Sequence, residues 1–469
     1  MQKRGDYMDA KERKQYDQLI RTPITKIIPV LAIPTVISMM IGMIYNLVDA
    51  YFVGMLGTSA AAAIGILMSI QAVFQAVGFM CGHGSGSRIS VLLGKGKKEL
   101  ADVYASTGFL ASIVASSIIT ILAMMMISPL MVFLGSTKTI LPYARIYGFY
   151  ILLSGPALSA SCVLNNIMRY EGKASLAMVG LVSGGVLNMI GDPIFMFGLK
   201  MGIHGAGLST ALSQYISFGI LLYMFISKKT MTSISLKKAK GFGEELTRIM
   251  QNGTPSLIRQ MLNSLSTMSL NIIAKPYGDA AIAGMTIVGR IVMFFASTMV
   301  GIGQAYQPVA AFNYGAKKYK RIREGFLVTW VLGETVLGIF AIIAFINPEP
   351  LILLFRNDPR VLAIGKNALR FHCIALIASP LSVVSNMMFQ SIGESAIASF
   401  LAALRSGIYY IPILFILSRL LGILGIQSAQ MVADILTTLT CIPFLVKFFR
   451  ELPKKNMHVK MDDDYKHSS

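Results

Sequence analysis

Apolar residues along this chain gather into long, nearly unbroken runs separated by short polar stretches, from Ile27 to Phe449. Each run spans roughly 20 to 30 residues, enough at 1.5 Å per residue to cross a hydrocarbon core about 30 Å thick. The runs lack the alternation of barrel strands and are rich in Ala, Leu, Ile, Met and small residues, which suit close helix packing in lipid. The pattern predicts helical spans over 27–53, 60–87, 102–127, 140–166, 174–198, 205–227, 247–274, 280–312, 325–346, 361–389, 397–418 and 423–447. The fold class expected is therefore an all-α membrane protein of about twelve transmembrane helices. Residues 1–26 are polar and of mixed charge, and the first apolar run is too long for a signal-peptide core. No cleavable signal is predicted, and the first span is expected to anchor the chain.

Composition excludes the soluble alternative, because 54% hydrophobic and 14% charged residues cannot give 469 residues an ordinary polar surface. The net charge of +20 changes the picture only by setting orientation. With the N-terminus in the cytoplasm, about 30 of the 42 basic residues fall in cytoplasmic segments, as the positive-inside rule requires. A multi-pass cell-membrane protein with both termini cytoplasmic is expected. The basic clusters (Lys95, Lys97, Lys98; Lys237, Lys238, Lys240; Lys317, Lys318, Lys320, Arg321, Arg323) all lie in loops on that side. Membrane lipid headgroups, not nucleic acid, are the partner they imply. Cys81, Cys162, Cys373 and Cys441 lie inside spans without metal-type spacing and read as free buried thiols.

The chain repeats itself. At an offset of 221 residues Pro34 falls on Pro255, Gly57 on Gly278, Gly94 on Gly315 and Gly172 on Gly393, and with a slip of one Gly205 meets Gly425. Glycine and proline set backbone geometry, so five coincidences in order point to a structural duplication. Each half holds six spans, an even number, so the two copies must be parallel and related by an axis along the membrane normal. Such a pair of bundles suits a transporter that rocks about a cleft. The organisation expected is a cytoplasmic segment 1–26, an N-lobe 27–227, a cytoplasmic linker 228–246, a C-lobe 247–450 and a cytoplasmic tail 451–469.

Ionisable residues inside a bilayer cost roughly 2.5 to 3.5 kcal/mol each on insertion scales, so they are candidates for function. In the first span Tyr45 and Asp49 lie one turn apart on one face, and in the fifth Asn188 and Asp192 do the same. Asp49 is about four residues, or about 6 Å, from the outer end of its span, and Asp192 is at a similar depth. Tyr147 and Thr210, on spans four and six, enter the same layer from the opposite direction. Pro193 should bend the fifth span and free a carbonyl near Met189, and Pro34 marks a bend in the first. Two readings stay open: the acids join helices through Asn and Tyr, or they form a cation site. In the second half Arg259, Arg290, Glu334 and Asp434 lie in or near spans, and ion pairing among them is the leading expectation. Met293-Phe294-Phe295 and Phe74, Phe79, Met80 could line a pocket for organic cations, or simply pack the core.

Four segments carry a resemblance: NLVDAYFVGMLGTSAAAAIGI at 46–66, GSGSRISVLLGKGKKELA at 84–101, NMIGDPIFMFGLKMGIHGAGLSTALSQ at 188–214 and GIGQAYQPVAAFNYGAKKYKRIREG at 301–325. Together they resemble the multidrug and toxic compound extrusion (MATE) family over about Ile24 to Phe449. The resemblance implies a V-shaped pair of six-helix lobes around a central cavity. It implies a monomer that exports cationic or amphipathic small molecules, with H⁺ or Na⁺ as the coupling ion and no other cofactor. It also implies a cation site at Asp49, Asn188, Asp192 and Thr210, open to Na⁺, with Tyr45 and Tyr147 as neighbours. A branch of the family carries acids on helices seven and ten; here Asn263 and Ser382 stand near those places, which leaves the N-lobe as the coupling machinery.

Competing functions are weaker on the residues themselves. A lipid-linked oligosaccharide flippase of the same superfamily would more often have fourteen spans and a cationic cavity. No HExxH, phosphate loop, nucleophile elbow or Cys-His pair supports a membrane enzyme. GKGKKELADVY stands where a major-facilitator carrier has its acidic and arginine-rich loop.

Overall fold

A computed structural model describes residues 10–241 and 243–453. A leading helix, Ala10–Arg21, precedes twelve long ones: α1 (Ile24–Gly54), α2 (Thr58–Gly94), α3 (Lys98–Met125), α4 (Leu141–Tyr170), α5 (Ala174–Gly198), α6 (Ile203–Ile226), α7 (Glu244–Ala274), α8 (Asp279–Gly315), α9 (Tyr319–Ile346), α10 (Pro359–Ile392), α11 (Ser395–Leu421) and α12 (Ile423–Glu451). Eleven of the twelve are long and apolar enough to cross a membrane, and α7 is the exception. It runs over 31 residues but begins Glu244-Glu245 and carries Arg248, Gln251, Asn252, Arg259, Gln260 and Asn263. Among the described residues no strand accompanies these helices.

The duplication is visible in the packing. Within the first six helices α2 packs on α4, α4 on α6, α5 on α6 and α1 on α5; within the second six α8 packs on α10, α10 on α12, α11 on α12 and α7 on α11. Short helices at Ile127–Phe133 and Pro348–Leu353 occupy matching places. The landmark glycines share their backbone geometry too: Gly57 and Gly278 have φ of 121° and 84°, Gly172 and Gly393 76° and 93°, and Gly202 and Gly422 55° and 62°. A side chain would be strained at each of these positions, so glycine recurs there in both copies. Asn165 donates to the Ala177 carbonyl at 2.8 Å, and Asn386 to the Ala398 carbonyl at 2.6 Å, 221 residues on in both donor and acceptor.

The two repeats meet through α1 against α8, α2 against α7, and α2 against α8. One very close approach pairs symmetry-related glycines at the end that carries the basic loops. A Cβ on Gly94 would sit 2.1 Å from the Phe312 carbonyl oxygen, and a Cβ on Gly315 2.1 Å from that of Val91. Gly84 and Gly253 make equally close backbone contacts with Ile249 and Met80. Hydrogen bonds between repeats cluster in this half: Ser90 to Pro308 (3.4 Å), Asn252 to Ser87 (3.3 Å), Ser256 with His83 (3.1 Å) and Arg169 to Gln304.

The leading helix spans this junction. Gln15 donates to the Gly172 carbonyl (3.2 Å) on the first repeat, while the Leu19 carbonyl accepts from Asn313 and Arg321 (both 3.2 Å) on the second. Tyr16 packs edge-on against Phe312, and Leu19 is fully buried. Residues 228–240, read in the sequence as a linker, are tied to the first repeat. Glu171 accepts from the amides of Met231 (2.7 Å) and Thr232 (2.8 Å), and Asp102 from Ser233 (2.8 Å) and Lys238 (2.7 Å). The cysteines are all buried and free. Part of the expected segments 1–26 and 451–469 lies outside the described residues.

Candidate cation site in the first repeat

α1, α4, α5 and α6 bring one polar cluster together away from the basic loops. Its members sit in apolar helices, so their burial has to be repaid by hydrogen bonds, a proton or an ion. The Tyr147 hydroxyl donates to Asp49 Oδ2 at 3.1 Å and lies 3.5 Å from Thr210 Oγ1. Asn188 Nδ2 donates to Asp192 Oδ1 (3.2 Å), one helical turn on, and to Thr210 Oγ1 (3.2 Å). The carboxyls of Asp49 and Asp192 face each other. Asp192 is 0% exposed and Asp49 8%, with Tyr147, Asn188 and Thr210 also buried.

Local sequence explains the assembly. Pro193 cannot donate to the carbonyl four residues back, and α5 passes from α-helix to a π turn at Ile194–Gly198. Ser209 on α6 then donates to the Asn188 carbonyl (3.2 Å), and Gly191 leaves it room, since a Cβ there would lie 2.5 Å from Ser209 Oγ. Ser209 was not singled out in the sequence; its only signal is that it precedes Thr210. Three oxygens are left without a protein partner among the described residues: Asp49 Oδ1, Asn188 Oδ1 and Asp192 Oδ2. Two carboxyls and an amide oxygen give the pocket an electron-rich lining.

Other sequence candidates are placed differently. Tyr45 lies alongside Gly185 of α5, its ring 3.5 Å from where a Cβ would be, with no hydrogen bond to either acid among the described residues. Pro34 is buried within an uninterrupted α1, its carbonyl accepting from Ser38 (2.8 Å), and α8 passes close by, Gly301 against Val36. In the second repeat the expected pairing among four residues gives way to another: Asp434 is paired by Arg405, at 2.9 and 3.2 Å, while Arg259, Arg290 and Glu334 form no ion pair among the described residues. Arg405 and Asp434 are 29 residues apart on different helices, so no helical period could join them. Asn263 accepts from Ser406 (2.6 Å) and Ser382 is buried. Phe74 is core, packed on Gly155, whereas Met293 is 63% exposed.

Known proteins agree with this architecture. The family model described as MatE matches twice, over residues 34–194 and 255–416, the same 221-residue offset that the glycines and prolines mark. The chain is 27% identical over 419 residues to "Multidrug export protein MepA" of Staphylococcus haemolyticus (strain JCSC1435), covering 89% of this chain and 91% of that one. It is 25% identical over 423 residues to the protein of the same name from Staphylococcus aureus (strain MRSA252), covering 90% and 93%. Among solved structures, a MATE in complex with MaL6 superposes with a TM-score of 0.88 at 26% identity, over 93% of this chain and 99% of that one. An outward-facing multidrug resistance MATE family transporter of the MOP superfamily gives 0.88 at 26%, over 93% and 98%. By its duplicated helices and by sequence over both halves, this multi-pass membrane protein belongs to the MatE family.

Proposed function

We propose that the protein is a secondary antiporter that exports small amphipathic organic molecules in exchange for an inward-moving cation taken up at Asp49 and Asp192. The observation that carries the reading is the buried pocket in which two carboxyls face each other and three oxygens lack a protein partner. A proton on either acid, or a Na⁺ held by Asp49, Asn188, Asp192 and Thr210, supplies the missing positive charge. The relatives' name, multidrug export protein, supports the substrate class.

The basic-loop end is assigned to the cytoplasm, and the repeats are closed there on the Gly94–Gly315 crossing. In this outward-facing arrangement the cation enters from outside, neutralises the acids and shifts α1 against α5 and α6. Drug bound between the repeats is released as the ion binds. One charge moving down 100 mV yields about 2.3 kcal/mol, around fifty-fold in concentration. H⁺ is the favoured ion, because residues 254–274 of α7 and the whole of α10 carry no carboxyl that could complete a sodium site in the second repeat.

The test is dye uptake into inverted vesicles driven separately by pH and Na⁺ gradients, for wild type, Asp49→Asn and Asp192→Asn. Gradient-driven movement lost in both variants supports the reading and names the ion. Movement unchanged in both variants would mean that the acids only pack helices.

A further inference from the structure

The one long helix too polar to count as a span, α7, has its polar residues arranged on a face. Gln260, Ser264, Thr267 and Asn271 recur at i, i+4, i+7 and i+11, and the last three are exposed. A second exposed face, Met261, Leu265, Met268 and Ile272, is apolar. In a bilayer the apolar face can meet lipid, but the polar one is tolerated only against protein or water. It contains no acid.

Arg259 immediately precedes Gln260, about 100° round the helix from the stripe and toward the buried side of α7, and it lies next to the first contact with the other repeat, Ser256 to His83. The guanidinium is half-buried and touches only neutral groups, Asn386 Oδ1 and Ser256 Oγ, each at 3.4 Å, long for a charged donor. The ionisable side chains around it are Tyr170, His83 and Arg405, and Arg405 is already matched by Asp434. Across the junction Arg169 is 4% exposed, donates to Gln304, and keeps Nη2 without a partner. Two guanidiniums that no carboxylate pairs among the described residues thus stand where the repeats meet. Leaving such a charge unpaired in a membrane interior is costly, and the planar fork of donors on a guanidinium is what a carboxylate needs.

We propose that Arg259 is a specificity-determining residue that binds an anionic group, a carboxylate above all, on the exported molecule, so that zwitterionic amphiphiles are preferred over simple cations. This rests on the efflux reading. The neutral stripe of α7 then supplies hydrogen bonds along the path out, and the acids of the first repeat stay free for the coupling cation.

The experiment uses one fluorophore in two charge forms: tetramethylrhodamine, which carries a free carboxylate beside its cation, and its ethyl ester, a simple cation. Fluorescence anisotropy with the purified full chain reads affinity; Arg259→Gln and Arg259→Lys are compared with wild type. We expect tighter binding of the carboxylate form by wild type, a loss of about tenfold or more in Arg259→Gln, partial recovery in Arg259→Lys and an unchanged ester affinity. Equal weakening of both dyes in a variant that still elutes as folded protein, or a carboxylate affinity untouched by Arg259→Gln, would overturn the inference while leaving efflux standing. Wild type that binds neither dye would overturn the efflux reading itself, and this inference with it.

Discussion

Substituting alanine at Gly315 or Gly94 should drive the two repeats apart at the basic-loop end. The added Cβ would lie 2.1 Å from a backbone carbonyl oxygen of the opposite helix, where an ordinary contact is 3.4 Å or more. A backbone oxygen cannot rotate away as a side chain can, so α2 and α8 must separate by more than about 1 Å. Overpacking of this kind costs about 1–3 kcal/mol. At 1.4 kcal/mol per tenfold, a 2 kcal/mol penalty borne by the closed arrangement alone shifts its balance with an open one about 30-fold. Spin labels on Lys97→Cys and Lys320→Cys read the separation by pulsed electron resonance; the four native cysteines are buried, which keeps labelling selective. Gly219→Ala is the control, since a Cβ there meets nothing within 4 Å. Longer distances are expected in Gly94→Ala and Gly315→Ala and not in the control. Unchanged distributions in both would refute the reasoning, because the steric conflict would then be absorbed without parting the repeats.

Further outcomes follow from other contacts. Tyr147→Phe removes the donor to Asp49 and should slow gradient-driven dye efflux about tenfold, with expression unchanged, the loss expected of one charge-assisted hydrogen bond. Ser209→Ala removes the side-chain donor to the Asn188 carbonyl and should lower thermal stability by about 0.5–1.5 kcal/mol, read as a depressed unfolding midpoint in detergent. Asp102→Ala releases Ser233 and Lys238, so trypsin should cut at Lys237, Lys238 or Lys240 faster than in wild type, detected by mass spectrometry of the fragments. Leu19→Ala empties a fully buried position under the leading helix at a cost of about 2–5 kcal/mol. Since that helix holds both repeats, hydrogen exchange at Gly172 and Asn313 should rise together.

Much of this molecule is legible in its sequence because lipid imposes simple rules. Run lengths gave twelve helices, and the even count with the 221-residue offset gave a parallel duplication, since Gly94, Gly172 and their partners occupy places where no other residue fits. The layer holding Asp49, Tyr147, Asp192 and Thr210 could be reached by counting residues from span ends, because a helix rises by a fixed amount. What could not be read was lateral. Nothing in the periodicity says that Ser209 faces Asn188, that Arg405 reaches Asp434, or that Tyr45 turns its ring to Gly185, because each depends on how two helices rotate against each other. The strapping of residues 228–240 was hidden for a similar reason: a polar basic stretch looks like a free linker until Glu171 and Asp102 are found to hold it.

The central claim is that occupancy of the Asp49–Asp192 pocket and binding of substrate oppose each other. The most direct measurement is the affinity of the purified protein for a fluorescent amphiphile as pH is lowered or Na⁺ raised, in wild type and in Asp192→Asn. The account predicts that one of these ions weakens dye binding to wild type and that the dependence disappears in Asp192→Asn. An affinity that ignores both ions, or that falls equally in wild type and variant, would contradict it.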